Sequence, residues 1–353
     1  MDFLVDDDEN IVFDDTSDDR NVLRIVVTEA STEIAHALMY RILSNNVFEN
    51  DQLIYLVVYE TFEKALFLES IVIELTEFSP AQLYGSQPFE KFLLRNFIFF
   101  KRFLLSLIYI GIICTHEPSI AFKDADIVFC IGLARGYEFM DEEYEDLFFE
   151  ECALIAKFHG ETLERYAKRD VKVIVLGNIT ATIISHYAKS IPKKNFTSLT
   201  KLNVKMCAAH IAARTGCRAD QIKNIILWGT DNKSTFPDCR YMSFEKDVII
   251  NDCLRAWLKV DLPRILRNIL NRSWYTRSLA YALAEHCKLL WYGTEQDEWT
   301  CMGVYSDGSY GVHEEIFFSY PVFCNNKEYE IVQVSDIFLL SIYFREISIL
   351  FYL

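Results

Sequence analysis

The sequence predicts an α/β fold, a parallel sheet covered by helices on both faces, followed by a region of looser pattern. Two observations lead there. Short, continuous apolar runs of strand length recur through the first half of the chain, and segments with apolar residues at helical spacing lie between them. Such runs alternate with amphipathic helices where a parallel sheet is buried on both sides. A third observation sets the scale. The 353 residues suit one large domain or two of ordinary size, at roughly 150 residues each. With 51% hydrophobic and 14% aromatic residues, a sizeable core is available and wholesale disorder is excluded.

In chain order, residues 1–21 show no apolar period and are expected to form an acidic disordered tail. Residues 22–28 (VLRIVVT) form a β-branched run of strand length. Residues 31–43 place apolar side chains at 34, 35, 38, 39, 42 and 43, which is helical spacing. Residues 53–58 (LIYLVV) predict a second strand and 63–75 a second helix. Further strands are expected at 110–114, 127–131 and 171–176, with a long helix over 142–166. Beyond Asn178, where a boundary is placed, the alternation loosens. A helix is expected over 202–215, one strand over 221–228, and mostly helix over 249–286. Residues 302–304 and 316–322 predict strands of a smaller antiparallel sheet, around a Ser-Asp-Gly-Ser turn at 306–309.

The formal net charge is −16, which argues against a nucleic-acid binder that must neutralise phosphates. Nine acids and no base fall within residues 1–19, so the rest of the chain carries only −7. Ten cysteines stand far apart with no CxxC, which argues against a zinc ribbon or redox dithiol, and no metal site is expected. The acidic start lacks a secretory or transit pattern, so a reducing cytoplasm is expected. Residues 92–114 are very apolar, but Arg95, Lys101 and Arg102 leave a clean run of only 12 residues. A spanning helix needs about 20. The apolar C-terminus, 334–353, is likewise interrupted by Asp336, Arg345 and Glu346, so a membrane anchor is not expected there.

In a sheet that opens strand–turn–helix, the first turn is where glycines let a dinucleotide pyrophosphate approach the backbone. Here the turn reads Thr28-Glu29-Ala30-Ser31-Thr32-Glu33-Ile34-Ala35, without glycine and with two carboxylates. On local chemistry alone it predicts no nucleotide site.

Longer segments bear a resemblance to a known family. Residues 171–178 (VKVIVLGN), 190–202 (SIPKKNFTSLTKL), 222–238 (IKNIILWGTDNKSTFPD), 290–294 (LWYGT) and 302–312 (MGVYSDGSYGV) closely resemble the cytosolic type of malate dehydrogenase. The similarity runs in order through residues 22–333. It implies an NAD-binding Rossmann domain over 22–178, an α+β lactate/malate dehydrogenase C-terminal domain over 179–333, and a homodimer. Residues 79–109 form an insertion, and 334–353 a tail, without counterpart in the family. The insertion is a candidate surface for a protein partner.

Malate oxidation in that family calls for a histidine base, an aspartate that orients it, arginines that fork onto carboxylates, and glycines that admit phosphates. Carried over position by position, the resemblance places Glu29 and Thr32 at the two glycines of the phosphate turn. It places Tyr59, with Glu60 beside it, at the carboxylate that holds the adenosine ribose. Of the substrate-loop arginines only Arg135 remains, one position early, and Glu142 replaces a downstream one. The orienting aspartate becomes Asn203, the arginine after it becomes Met206, and Lys205 beside it cannot copy a bidentate fork. The histidine becomes Asp231, whose ordinary pKa of about 3.9 suits an alcohol base poorly unless burial raises it. Asn178 matches the asparagine that contacts substrate and nicotinamide, and Gly132 and Gly177 match strand-end glycines. His210, one turn beyond Met206, is the obvious candidate for a replacement base.

Base, orienter, clamp and phosphate turn are thus altered together. The sequence therefore predicts a malate-dehydrogenase-like member of the NAD-dependent 2-hydroxy acid oxidoreductases with impaired catalysis. The alternative is an active NAD-dependent oxidoreductase with altered substrate preference.

Overall fold

In the computed structural model, residues 22–77, 108–132, 142–231, 234–270 and 276–333 are described, apart from 45, 50, 110, 246 and 247. The acidic tail, most of the 79–109 insertion, Arg135 and the 334–353 tail lie outside the described residues.

Six parallel strands make the centre of the fold: β1 (Val22–Val27), β2 (Leu53–Tyr59), β4 (Ile112–Thr115), β5 (Ile127–Cys130), β6 (Lys172–Val175) and β7 (Phe196–Leu199). Their spatial order is β4-β2-β1-β5-β6-β7, with β3 (Ile108–Tyr109) antiparallel on the β4 edge. Numbering the parallel strands in sequence gives 3-2-1-4-5-6, the doubly wound order. Val27 pairs with Val58 on one side and Phe129 on the other, so the chain after β1 enters the crevice where the strand order reverses.

The strand composition follows from burial on both faces. Ile25, Val27, Leu56, Val58 and Phe129 face one layer, built on α1 (Glu33–Leu43), α2 (Ala65–Glu77) and a later helix, α8 (Thr276–Tyr292). Val26, Val57, Val128, Val173 and Val175 face the other layer, with α3 (Pro118–Ala121), α4 (Glu142–Tyr166) and α5 (Asn178–Tyr187). A period-2 backbone between two apolar layers needs apolar residues at every position. Helices α4 and α5 cross closely at Gly160, where a Cβ would stand 2.6 Å from the Ile184 carbonyl oxygen and 2.7 Å from Tyr187 Cβ.

Past Asn178 the structure differs from the sequence expectation in three ways. The parallel sheet continues to β7, whose sequence, FTSL, carries no apolar run. Its polar members are buried and matched at long range: His286 and Thr197 share a hydrogen bond of 2.8 Å, and Ser198 donates to Asn178. The late strands are antiparallel but form no separate sheet. β12 (Thr300–Tyr305) pairs with β7, then β13 (Phe317–Asn325) and β14 (Glu328–Ile331) follow, giving one sheet of ten strands. The single strand expected over 221–228 is split into β8 (Ile222–Lys223) and β9 (Ile226–Trp228), because Asn224 turns left-handed at φ 60°. β8 pairs with β11 (Ser243–Phe244) and β9 with β10 (Phe236–Asp238). A third core lies between α6 (Lys201–Thr215) and α7 (Asp252–Leu270), around Cys207, Ile211, Leu258 and Leu262.

Candidate functional site

The crevice at the carboxyl ends of the parallel strands is where doubly wound folds bind ligands. Its first wall is the turn between β1 and α1. Glu29 sits there at φ 46°, a conformation that suits glycine, and it is buried. Its carboxylate folds back under the turn rather than out of it. One oxygen lies 2.5 Å from His159 Nε2 on α4, and the other accepts the Gly132 N–H at 2.9 Å. The Thr28 hydroxyl also donates to that second oxygen. Burial by itself would raise the Glu29 carboxyl, but the His159 ring, Thr28 and Gly132 outweigh it and hold it below the usual range. Tyr59 and Phe122 flank the imidazole, and burial together with the Glu29 and Glu60 charges pushes the Tyr59 phenol up.

The rest of the turn is tied internally. Glu60, at the end of β2, is buried, and its carboxylate accepts the Ser31 N–H at 3.1 Å, the Ser31 hydroxyl at 2.5 Å and the Thr61 N–H at 2.9 Å. Tyr59, one residue earlier, points into the opposite layer, as strand alternation requires. Thr32 is the N-cap of α1: its hydroxyl donates to the Glu29 carbonyl at 2.8 Å and accepts the Ala35 N–H at 3.3 Å. The Ala30 N–H donates to Tyr59 O and the Thr32 N–H to Glu29 O.

The second wall joins α5 to the loop after β9. Asn178 opens α5 and is buried, with its amide fully engaged: Nδ2 donates to Gly229 O at 3.2 Å, and Oδ1 accepts from Ser198. Gly303 on β12 leaves room for that pair, since a Cβ there would collide with both side chains. Gly229, at φ 132°, packs against the Ser234 carbonyl, 2.9 Å from where its Cβ would stand. Asp231 closes the same loop. Its Oδ1 accepts the Ser234 N–H at 2.6 Å, its own N–H donates to Ser234 Oγ at 3.1 Å, and its carbonyl takes the Thr235 hydroxyl at 2.6 Å.

On α6, Met206 packs against the third core and Asn203 is half-buried. Lys205 turns toward α8, 2.5 Å from the Glu285 carboxylate and 4.5 Å above the Tyr281 ring. His210 is half-buried one turn further on. The structure thus brings Asn178 together with the Gly229–Asp231 loop, and Glu29 with Gly132. It draws Met206 and Lys205 into packing. His159 was missed from the sequence. Its signal was present, because it stands three residues after Ala156 and four before Leu163 on the buried stripe of α4.

Among the described residues there is no group of histidines, cysteines and acids that could hold a metal ion, and no helix long and apolar enough to cross a membrane. No disulfide joins any of the ten cysteines, all of which lie among the described residues.

The strand order and the crevice define a dinucleotide-type doubly wound protein with an antiparallel extension. Comparison with known proteins narrows the class. Residues 272–341 match the family model of the lactate/malate dehydrogenase α/β C-terminal domain. The chain is 32% identical to the cytoplasmic malate dehydrogenase of Rattus norvegicus over 326 residues, covering 88% of this chain and 89% of that protein. Against the cytoplasmic malate dehydrogenase of Homo sapiens the figures are the same. Among solved structures, malate dehydrogenase from Naegleria fowleri superposes with a TM-score of 0.75 at 24% identity, over 91% of this chain and 92% of that one. Trichomonas vaginalis lactate dehydrogenase in complex with NADH and oxamate superposes with a TM-score of 0.73 at 22% identity, over 92% and 95%. The chain belongs to the lactate/malate dehydrogenase family.

The cofactor implied by that family is NAD. The residues of the β1 turn do not fit its pyrophosphate. The buried Glu29 carboxylate lies beneath the turn, and the N–H groups of Ala30, Ser31, Thr32 and Gly132 already have acceptors within the chain.

Proposed function

We propose that this chain is a malate-dehydrogenase-like protein whose NAD-dependent oxidation of 2-hydroxy acids is impaired, and which acts by binding. The observation that carries this reading is the state of Asp231. At the position matched to the family base, its carboxylate closes its own loop onto the Ser234 N–H. An aspartate carboxylate held in that way is a weaker base for a substrate hydroxyl than the imidazole whose position it matches. Met206 packed against the third core and Lys205 on Glu285 leave the substrate carboxylates without a forked partner at the second position. Loss of a general base alone lowers rates by about two to four orders of magnitude.

The test is a direct assay on the purified full chain, following NADH absorbance with malate and NAD at pH 7 to 9. We expect turnover below about 0.1 per second, against typical enzyme values of about 1 to 1000 per second. Turnover at tens per second would refute the reading and favour the alternative, an active oxidoreductase with altered substrate preference.

We also infer a homodimer, supported by the exposed apolar residues Leu147, Phe149, Leu154 and Phe158 along α4. Light scattering at micromolar concentration should give twice the chain mass. The reading includes cytoplasmic residence, as in the curated relatives, and contact of the 79–109 insertion with a further protein.

A further inference from the structure

Glu29 places a buried negative charge beneath the turn that leads into α1, next to where doubly wound folds receive anionic groups. We infer that Glu29 is a built-in anion that holds this cradle shut, so that one side chain excludes dinucleotides from the wild-type protein. The inference concerns the cofactor end of the crevice and does not depend on what Asp231 does at the substrate end.

Three observations carry it. The backbone at Glu29, φ 46°, already has a conformation that glycine adopts freely, so the turn itself is not distorted away from a phosphate-binding shape. The side chain is what differs. It takes the Gly132 N–H at the end of β5, a donor that faces the crevice from across the switch point. It is also matched by a cation-capable partner buried for this purpose. His159 Nε2 lies 2.5 Å away, its side chain is 3% exposed, and its Nδ1 has no acceptor. A dinucleotide phosphate entering here would find the Gly132 N–H taken by Glu29, a buried negative charge beneath the turn, and the Ser31 N–H taken by Glu60. Removing the Glu29 side chain frees the Gly132 N–H and leaves His159 Nε2 without its carboxylate partner, both favourable to an anion.

The experiment compares NADH binding by calorimetry and by ligand fluorescence for the wild-type full chain and Glu29→Gly. Wild type is expected to show no saturable binding up to millimolar NADH, and Glu29→Gly to bind at least tenfold more tightly. If circular dichroism shows that Glu29→Gly does not fold, Glu29→Gly/His159→Gln replaces it with the same expected gain, since glutamine at 159 leaves no imidazole without its carboxylate partner. The inference is overturned by micromolar NADH binding to wild type, or by a folded glycine variant that binds no better. NADH binding by wild type without malate turnover would sink this inference and leave the functional reading standing.

Discussion

His159→Leu removes one member of a buried carboxylate–imidazole pair and leaves the other in place. The Glu29 carboxylate would keep Thr28 and Gly132 as donors but lose the His159 imidazole on α4. Stranding one member of such a pair typically costs about 3–5 kcal/mol, because the remaining charge is desolvated without compensation. For a chain of 353 residues the unfolding entropy near 60 °C is roughly 0.7 kcal/mol/K, from about 2.1 cal/mol/K per residue. The midpoint should therefore fall by about 4–7 °C in thermal unfolding followed by circular dichroism at pH 7. Replacing both partners tells a different story. In Glu29→Gly/His159→Leu no charge is left behind, and glycine relieves the left-handed backbone at position 29, worth about 1–2 kcal/mol. The double variant should retain most of the wild-type stability, so the cycle should show a coupling of about 3 kcal/mol. Acid gives an independent check. The folded pKa of Glu29 is depressed, so its contribution is present above the ordinary glutamate pKa of about 4.3 and is lost as pH falls through that value toward the lower folded one. The stability gap between wild type and Glu29→Gln should narrow over the same window. A His159→Leu midpoint within 1 °C of wild type, or strictly additive single changes, would refute the reasoning.

Other positions give sharper steric or polar tests. Gly303→Ala drives a methyl into Asn178 and Ser198, and overpacking of that kind costs about 1–3 kcal/mol; a urea midpoint equal to wild type would show that the Asn178 pair does not need the space. Gly160→Val should separate α4 from α5 at a similar cost, visible as earlier thermal unfolding. Asp238 is buried and accepts from Trp228 Nε1 at 3.3 Å while holding Arg240 through both oxygens. Asp238→Ala should destabilise by about 2–4 kcal/mol in urea unfolding and Asp238→Asn by less, because the amide oxygen still accepts from Trp228.

How much was legible depended on whether the partner of each residue lay near it in sequence. The span of α4 and the strands β1, β2, β5 and β6 followed from period and run length, since their environment is two apolar layers that any such run must find. β7 was not legible, because Thr197 and Ser198 are buried only by virtue of His286 and Asn178, tens of residues away. The same limit hid the meaning of Glu29. Its replacement of a glycine was readable from the family resemblance, but the His159 that answers it is 130 residues further on. The role of Asp231 was, by contrast, readable locally. An aspartate followed three residues later by serine is a loop-closing pair, and both partners lie within one short stretch of sequence.

The departures at the two ends of the crevice share a physical character. A buried carboxylate without a partner is worth several kcal/mol of instability, a large part of the 5–15 kcal/mol by which a fold typically exceeds its unfolded state. Glu29 therefore cannot replace a glycine alone; it requires His159, and the two together form a satisfied unit. Asp231 has Ser234, Lys205 has Glu285, and Asn178 has Ser198 and the Gly229 carbonyl. These four side chains, Glu29, Asp231, Lys205 and Asn178, are turned onto the chain's own groups. A site with its donors and acceptors paired in this way stabilises the protein without a ligand, and by the same pairing it resists one. The energy that ligand contacts would have to supply first is the energy of breaking those internal bonds. On the proposed reading, that cost is why the fold can persist while malate and NAD bind weakly, and an NADH titration beside the malate assay measures it.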